Sequence, residues 1–171
     1  MKRFPTLLLP LLLTVLSGCG YQLGTIAHPQ LTSVAVAPVT NDTLAYNASA
    51  ILRGLLCERF TVDGSLKLKG LREADCIVYA RVADVKYDAV SYGTTFRGNN
   101  TYLANEWACT VKVEYSVILP GRGKPLIANR TTTGSTRFVT GPDLETSRQS
   151  ALRQALLKTA KDVVSGLTEG W

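Results

Sequence analysis

The chain has 171 residues, 46% of them hydrophobic, with 19 Lys and Arg against 13 Asp and Glu. That length and apolar content suit one globular domain with a real core, and they exclude a disordered chain. The one histidine, His28, stands beside Pro29 near the N-terminus, so a His-based triad or dyad in the domain core lacks its base.

Lys2 and Arg3 open the chain, an apolar run follows over Leu7–Leu16, and Leu16-Ser17-Gly18-Cys19 closes it. The run is shorter than the roughly 20 residues of a spanning helix, and no second long apolar segment exists. Small residues before Cys19 let a peptidase approach the chain. Residues 1–18 therefore read as a lipoprotein signal peptide and 19–30 as a lipidated leader, with Cys19 carrying the acyl chains. Such chains favour the membrane by roughly 0.8 kcal/mol per buried CH₂, and stable anchoring takes more than one. Gly20, where Asp would favour inner-membrane retention, points to the periplasmic leaflet of the outer membrane. An ordinary signal peptide with a chance cysteine is the bland alternative.

The single domain spans 31–171. Leu31–Ala37 predicts a first strand closed by Pro38. Asn41-Asp42-Thr43 offers capping side chains to a helix whose apolar face takes Leu44, Ala48, Ile51, Leu52, Leu55 and Leu56. That helix ends near Phe60, and Asp63-Gly64 turns the chain. Cys76–Val82 begins a second strand, apolar on both parities before it alternates through Val85, Tyr87 and Ala89. Two apolar faces need two covers. Helices supply one; either a partner supplies the other or Tyr79 lies on the surface.

Ser91–Asn105 reads as a polar loop with Tyr92, Phe96 and Tyr102 interleaved. Trp107–Leu119 alternates most cleanly and predicts the third strand. Pro120–Pro125 is a hairpin turn, and Leu126–Phe138, rich in Thr, is a last strand at an edge or on an exposed face. Gly141-Pro142-Asp143 opens a second helix, whose apolar face runs from Ala151 to Leu167. The fold class is α/β: a two-layer sandwich of a four-stranded mixed sheet with two helices on one face, in the order β-α-β-β-β-α.

Charge is uneven. From Gly64 to Arg137 eleven basic residues face six acidic ones, whereas Gly141–Trp171 is neutral. A basic surface on an exported chain suits phosphorylated lipid rather than nucleic acid, although a generic solvated surface has the same composition. Arg97 in the polar loop, Arg122 and Lys124 on the hairpin turn and Arg137 on the last strand are the candidates for phosphate. An antiparallel pair would put Arg97 and Arg122 at opposite ends of the sheet. Gly121-Arg122-Gly123-Lys124 echoes a phosphate loop but lacks its length. Cys57, Cys76 and Cys109 allow three disulfide pairings or buried free thiols, and sequence does not choose. No metal-ligand spacing and no catalytic motif occurs, so no cofactor is expected and an envelope hydrolase is disfavoured.

The ordered set Gly18-Cys19-Gly20-Tyr21-Gln22-Leu23, Val34-Ala35-Val36-Ala37-Pro38, Ala74-Asp75, Phe96-Arg97-Gly98-Asn99, Val117–Arg122 and Gly170-Trp171 resembles the LPS-assembly lipoprotein family LptE. The resemblance implies a non-enzymatic plug beside the outer-membrane β-barrel LptD, supporting barrel assembly and lipopolysaccharide insertion into the outer leaflet. It matches Arg97 to the loop position linked to lipopolysaccharide phosphates. Basic residues ahead of the last helix, present in some relatives, are missing from Thr140–Thr146, which leaves Arg137 or Arg148 to serve. Tyr92, Phe96 and Tyr102 are the candidate partner contacts. A free-standing periplasmic lipoprotein that binds anionic lipid or glycan is the rival reading.

Overall fold

The computed structural model describes residues 30–94, 102–141 and 143–169, with the backbone alone at 93, 94, 102 and 103. The signal segment, Cys19, His28, Phe96, Arg97, Pro142 and Gly170-Trp171 lie outside the described residues, and so does the side chain of Tyr102.

The elements in chain order are β1 (Ser33–Val36), β2 (Thr40–Asn41), α1 (Ala48–Asp63), β3 (Lys67–Leu68), β4 (Cys76–Thr94), β5 (Tyr102–Ile118), β6 (Ile127–Val139) and α2 (Leu144–Thr168). They form one mixed sheet in the order β3-β1-β4-β5-β6, with β2 also paired to β4. The expected four strands are thus six. Pro38 explains one addition. Lacking an N–H, it interrupts the pairing of the first strand with β4, which resumes as β2 opposite Arg81 and Val82. The other addition, β3, is a two-residue parallel partner of β1, too short to leave a periodic signal.

β1 runs parallel to β4, whereas β4–β5 and β5–β6 are antiparallel. The segment expected as a loop from Ser91 to Asn105 is ladder at both of its described ends: Tyr92 pairs with Ala104 and Thr94 with Tyr102. Ser91 and Tyr92 are exposed there, so the ladder continues on β-forming residues without the apolar alternation of a half-buried strand. Register shifts at Ala89/Ser91 and Ser91/Tyr92 also break the period.

Both helices cover one sheet face. Val78, Val82, Val111, Val113 and Val117 point from it into a core completed by Leu52, Leu56 and Phe60 of α1 and by Leu156, Val163 and Leu167 of α2. Gly134 lets α2 lie close on β6: a Cβ there would stand 2.3 Å from the Ala155 carbonyl oxygen. The last strand sits at the sheet edge, as its polarity predicts.

The first helix starts later than expected. The Asn41 carboxamide accepts from the Thr43 N–H (3.1 Å) and hydroxyl (2.7 Å) and donates to the Ala45 carbonyl (2.8 Å), so these residues build a turn instead of a cap. Asn47, at φ 57°, is the N-cap residue and makes no side-chain cap bond. Leu44 therefore falls outside the helix and is fully exposed. The second helix follows expectation, with the Asp143 carboxylate accepting from the Glu145 and Thr146 N–H groups.

Candidate functional site: two ends and an uncovered sheet face

The face of β4, β5 and β6 turned away from the helices carries charges that pair with one another. Arg81 donates to Asp42 (2.9 Å) and Glu114 (2.6 Å), and Lys112 stands 3.6 Å from Glu114. Lys86 pairs with Asp84 (3.1 Å), and Arg137 approaches Glu106 at 3.9 Å. Hydrogen bonding from Arg81 holds the Glu114 carboxyl below the usual glutamate range. Thr110, Thr133 and Ser135 fill the positions between. Tyr79, opposite Ser116, is 42% exposed on this side, so the second face of β4 is a hydrated surface rather than a second core.

The candidate cations are split along the sheet. Arg137 pairs with Ala108, whereas Arg122 and Lys124 occupy the exposed turn after β5. The nine steps from Ala108 to Val117 rise about 30 Å, so one phosphorylated head group cannot bridge these positions. Gly121 (φ 80°) and the bond from the Arg122 N–H to the Leu119 carbonyl (3.0 Å) form a tight strand-to-strand turn. No helix follows it to supply the N–H cradle of a phosphate loop. Tyr92, 60% exposed, lies at the other end on the β4–β5 hairpin.

At the Arg122 end, Arg122 joins Gln30, Leu31, Asp75, Pro120 and Leu126 around a cavity of about 380 Å³. Asp75 ties this corner together. Its Oδ2 accepts from the N–H and hydroxyl groups of both Thr32 and Ser33, at 2.8–3.0 Å. These bonds, the Thr32 hydroxyl first, lower the Asp75 carboxyl to about 2.

Sequence reasoning missed a cleft of about 480 Å³ between the β2–α1 turn and the start of α2, lined by Leu44, Tyr46, Ile51, Tyr87, Arg148 and Leu152 among others. The Arg148 guanidinium lies 5.5 Å from the Tyr87 ring centroid, and Phe138 meets the same ring edge-on at 6.3 Å. Burial, ahead of neighbouring charges, pushes the Tyr87 hydroxyl up to about 12. The Arg148 Nε is buried without a partner. Helical spacing, which drew Leu44 into the first helix, concealed this wall.

All three described cysteines are free, and Cys76 and Cys109 are buried. Among the described residues no group of three or more His, Cys, Asp or Glu could hold a metal, and no helix is long and apolar enough to cross a membrane.

A family model described as "LptE: Lipopolysaccharide-assembly" matches residues 31–167. No curated protein sequence matches the chain. Among solved structures, the PelC L103M dodecamer from Paraburkholderia phytofirmans aligns with 16% identity and a TM-score of 0.53, covering 85% of this chain and 94% of that one. A minor lipoprotein from Acinetobacter baumannii aligns with 13% identity and a TM-score of 0.51, covering 80% and 92%. A lipoprotein from Caulobacter crescentus aligns with 13% identity and a TM-score of 0.50, covering 76% and 87%. At these identities the likeness concerns the fold.

Proposed function

The chain belongs to the LptE family of lipopolysaccharide-assembly proteins, and we propose that it is an outer-membrane lipoprotein, anchored through Cys19 in the periplasmic leaflet, that plugs an LptD-like β-barrel. In this role it supports assembly of the barrel and assists lipopolysaccharide insertion into the outer leaflet, without catalysing a reaction. The family match over 31–167 carries the reading. The uncovered sheet face supports the plug. Barrel lumens are polar and wet, and a surface of paired charges and hydroxyls suits such a wall better than an apolar one. We place lipopolysaccharide contact at the hairpin end, with Arg97 and Arg137 on phosphate and Tyr92, Phe96 and Tyr102 against the barrel.

The test is copurification from gently solubilised membranes, combined with photo-crosslinkers at Lys86, Thr110 and Ser135 on the uncovered face and at Arg153 on exposed α2. A stoichiometric barrel partner, crosslinked from the sheet face in preference to Arg153, is the expected result. Recovery as a free monomer would refute the plug. The cleft below Tyr46, which joins apolar walls to a guanidinium, supports the rival of a free-standing binder of anionic lipid or glycan. Depletion separates the two, because barrel assembly fails only if the chain is part of it.

A further inference from the structure

The corner where the leader enters the domain carries cations that the lipopolysaccharide reading does not use. Lys67-Leu68-Lys69-Gly70-Leu71-Arg72 covers β3, at the open edge of the sheet, and the turn after it. The Lys67 N–H donates to the Thr32 carbonyl (2.9 Å), two residues beyond Gln30, where the described chain begins. Arg122 lines the cavity beside Gln30 and Leu31 from the other side, and Lys124 follows on the same turn. Lys67, Lys69, Arg72, Arg122 and Lys124 are all exposed, and none belongs to an ion pair among the described residues. The local carboxylates are Asp63, Glu73 and Asp75, three against five cations; Asp63 Oδ1 accepts from the Ser65 N–H, and Asp75 Oδ2 already accepts four hydrogen bonds. Leu68 and Leu71, between the cations, are 41% and 45% exposed.

Edge strands often carry lysines that deter pairing with another chain. That accounts for Lys67 and Lys69. It does not account for exposed leucines between them, or for two more cations on a separate turn at the same corner. Basic residues interleaved with apolar ones suit the head-group region of an anionic bilayer, where the charge sits among phosphates and the leucines enter the acyl boundary.

We infer that this corner docks on the anionic phospholipid surface of the leaflet that holds the anchor. The inference rests on the reading of Cys19 as acylated. Eleven backbone steps lead from Cys19 to Gln30, a reach of at most about 40 Å. Tethering at that range makes docking intramolecular, so weak individual contacts suffice. The corner sets the end of the body nearest the anchor: β3 and the Arg122 turn stand at the periplasmic rim of the barrel, against the surrounding head groups, and the β4–β5 hairpin lies at the opposite end of the sheet.

The experiment uses the chain from residue 19 with Cys19→Ser, floated with vesicles of phosphatidylethanolamine and phosphatidylglycerol, with vesicles of phosphatidylcholine, or mixed with lipopolysaccharide. Binding to the phosphatidylglycerol vesicles, weakened by salt, is expected. At about 1 kcal/mol per cation near an anionic surface, K67Q/K69Q/R72Q loses on the order of 100-fold and R122Q/K124Q about 25-fold. L68S/L71S binds more weakly but keeps its salt dependence, and Lys86→Gln on the sheet face binds like the parent. Matched thermal unfolding of all variants shows that the fold is intact. Equal binding to both vesicle types, an unaffected triple variant, or tighter binding to lipopolysaccharide overturns the proposal. So does a dimer lost in the triple variant without vesicle binding, which would assign the edge to a second copy. Mass spectrometry of the exported wild-type chain tests Cys19 acylation separately, so a failed anchor and a failed docking surface give different results.

Discussion

Replacing Gly134 by Ala tests how the second helix is seated. The added Cβ would stand 2.3 Å from the Ala155 carbonyl oxygen and 2.9 Å from Thr159 Cγ2. Ordinary carbon–oxygen contact begins near 3.3 Å, so β6 and α2 must part by about 1 Å. The Ala155 carbonyl is helix backbone and cannot rotate aside. Overpacking typically costs 1–3 kcal/mol. The top of that range is expected, because a gap of this size also forfeits a quarter to a half of each dispersion contact along the interface. About 3 kcal/mol in a domain of this length lowers the melting temperature by roughly 6–12 °C. Urea and thermal unfolding of the chain from residue 19 with Cys19→Ser measure both quantities. Two companions sharpen the assay. Gly54→Ala, on an exposed part of α1 with nothing within 4 Å, gains about 0.5–1 kcal/mol from helix propensity. Thr159→Ser in the Gly134→Ala background removes one of the two clashes and recovers less than half of the loss. A Gly134→Ala protein within about 0.5 kcal/mol of its parent, the size of an ordinary surface change, would refute the close seating of helix on strand.

Asp75 predicts an acid limb of stability. Its carboxyl lies near 2 in the folded protein against an ordinary 3.8, so its contribution is complete above about 3.8 and is lost as the pH falls through about 2. Asp75→Ala lowers the melting temperature at neutral pH and flattens that limb, and an unchanged limb in a pH series of thermal melts would contradict a stabilising role for the Thr32 and Ser33 bonds to Asp75. Burial pushes the Cys76 thiol up to about 11 and raises that of Cys109. Half-buried Cys57 is therefore modified first by a thiol reagent, with the other two reacting only on unfolding; peptide mapping checks the order. Arg97→Ala weakens lipopolysaccharide binding and leaves the unfolding midpoint in place, and an unchanged affinity removes Arg97 from the site. Cys19→Ala shifts the exported chain out of the membrane fraction, unless the barrel alone retains it; fractionation with and without the barrel partner decides.

The parts of the fold that depend on burial were legible in the sequence. Trp107–Leu119 alternates because one face of β5 meets helices and the other meets water, and the face of α2 from Ala151 to Leu167 follows the same logic. Asp143 was legible because a cap is a local event. What sequence concealed depended on distant pairing. β3 exists only because Lys67 finds Thr32 and Ser33, and β2 only because Arg81 and Val82 lie opposite it. Leu44 fits a helical period by chance, and the Asn41 turn decides otherwise. For the site, residue type identified the cations, but their division between two ends followed from the antiparallel ladder. The cleft at Tyr87 and Arg148 joins three segments that share no sequence pattern.

The uncovered sheet face has a long-range consequence. Arg81, Lys86, Lys112 and Arg137 are answered there by Asp42, Asp84, Asp88, Glu106 and Glu114, a net charge of only −1, so the surface casts little field a Debye length away. A neighbour arriving on that side is neither drawn in nor turned back by the field. Its choice of this surface must then be made at touching distance, by the match of contour and of individual donors and acceptors, which makes such an encounter slow to find and insensitive to ionic strength.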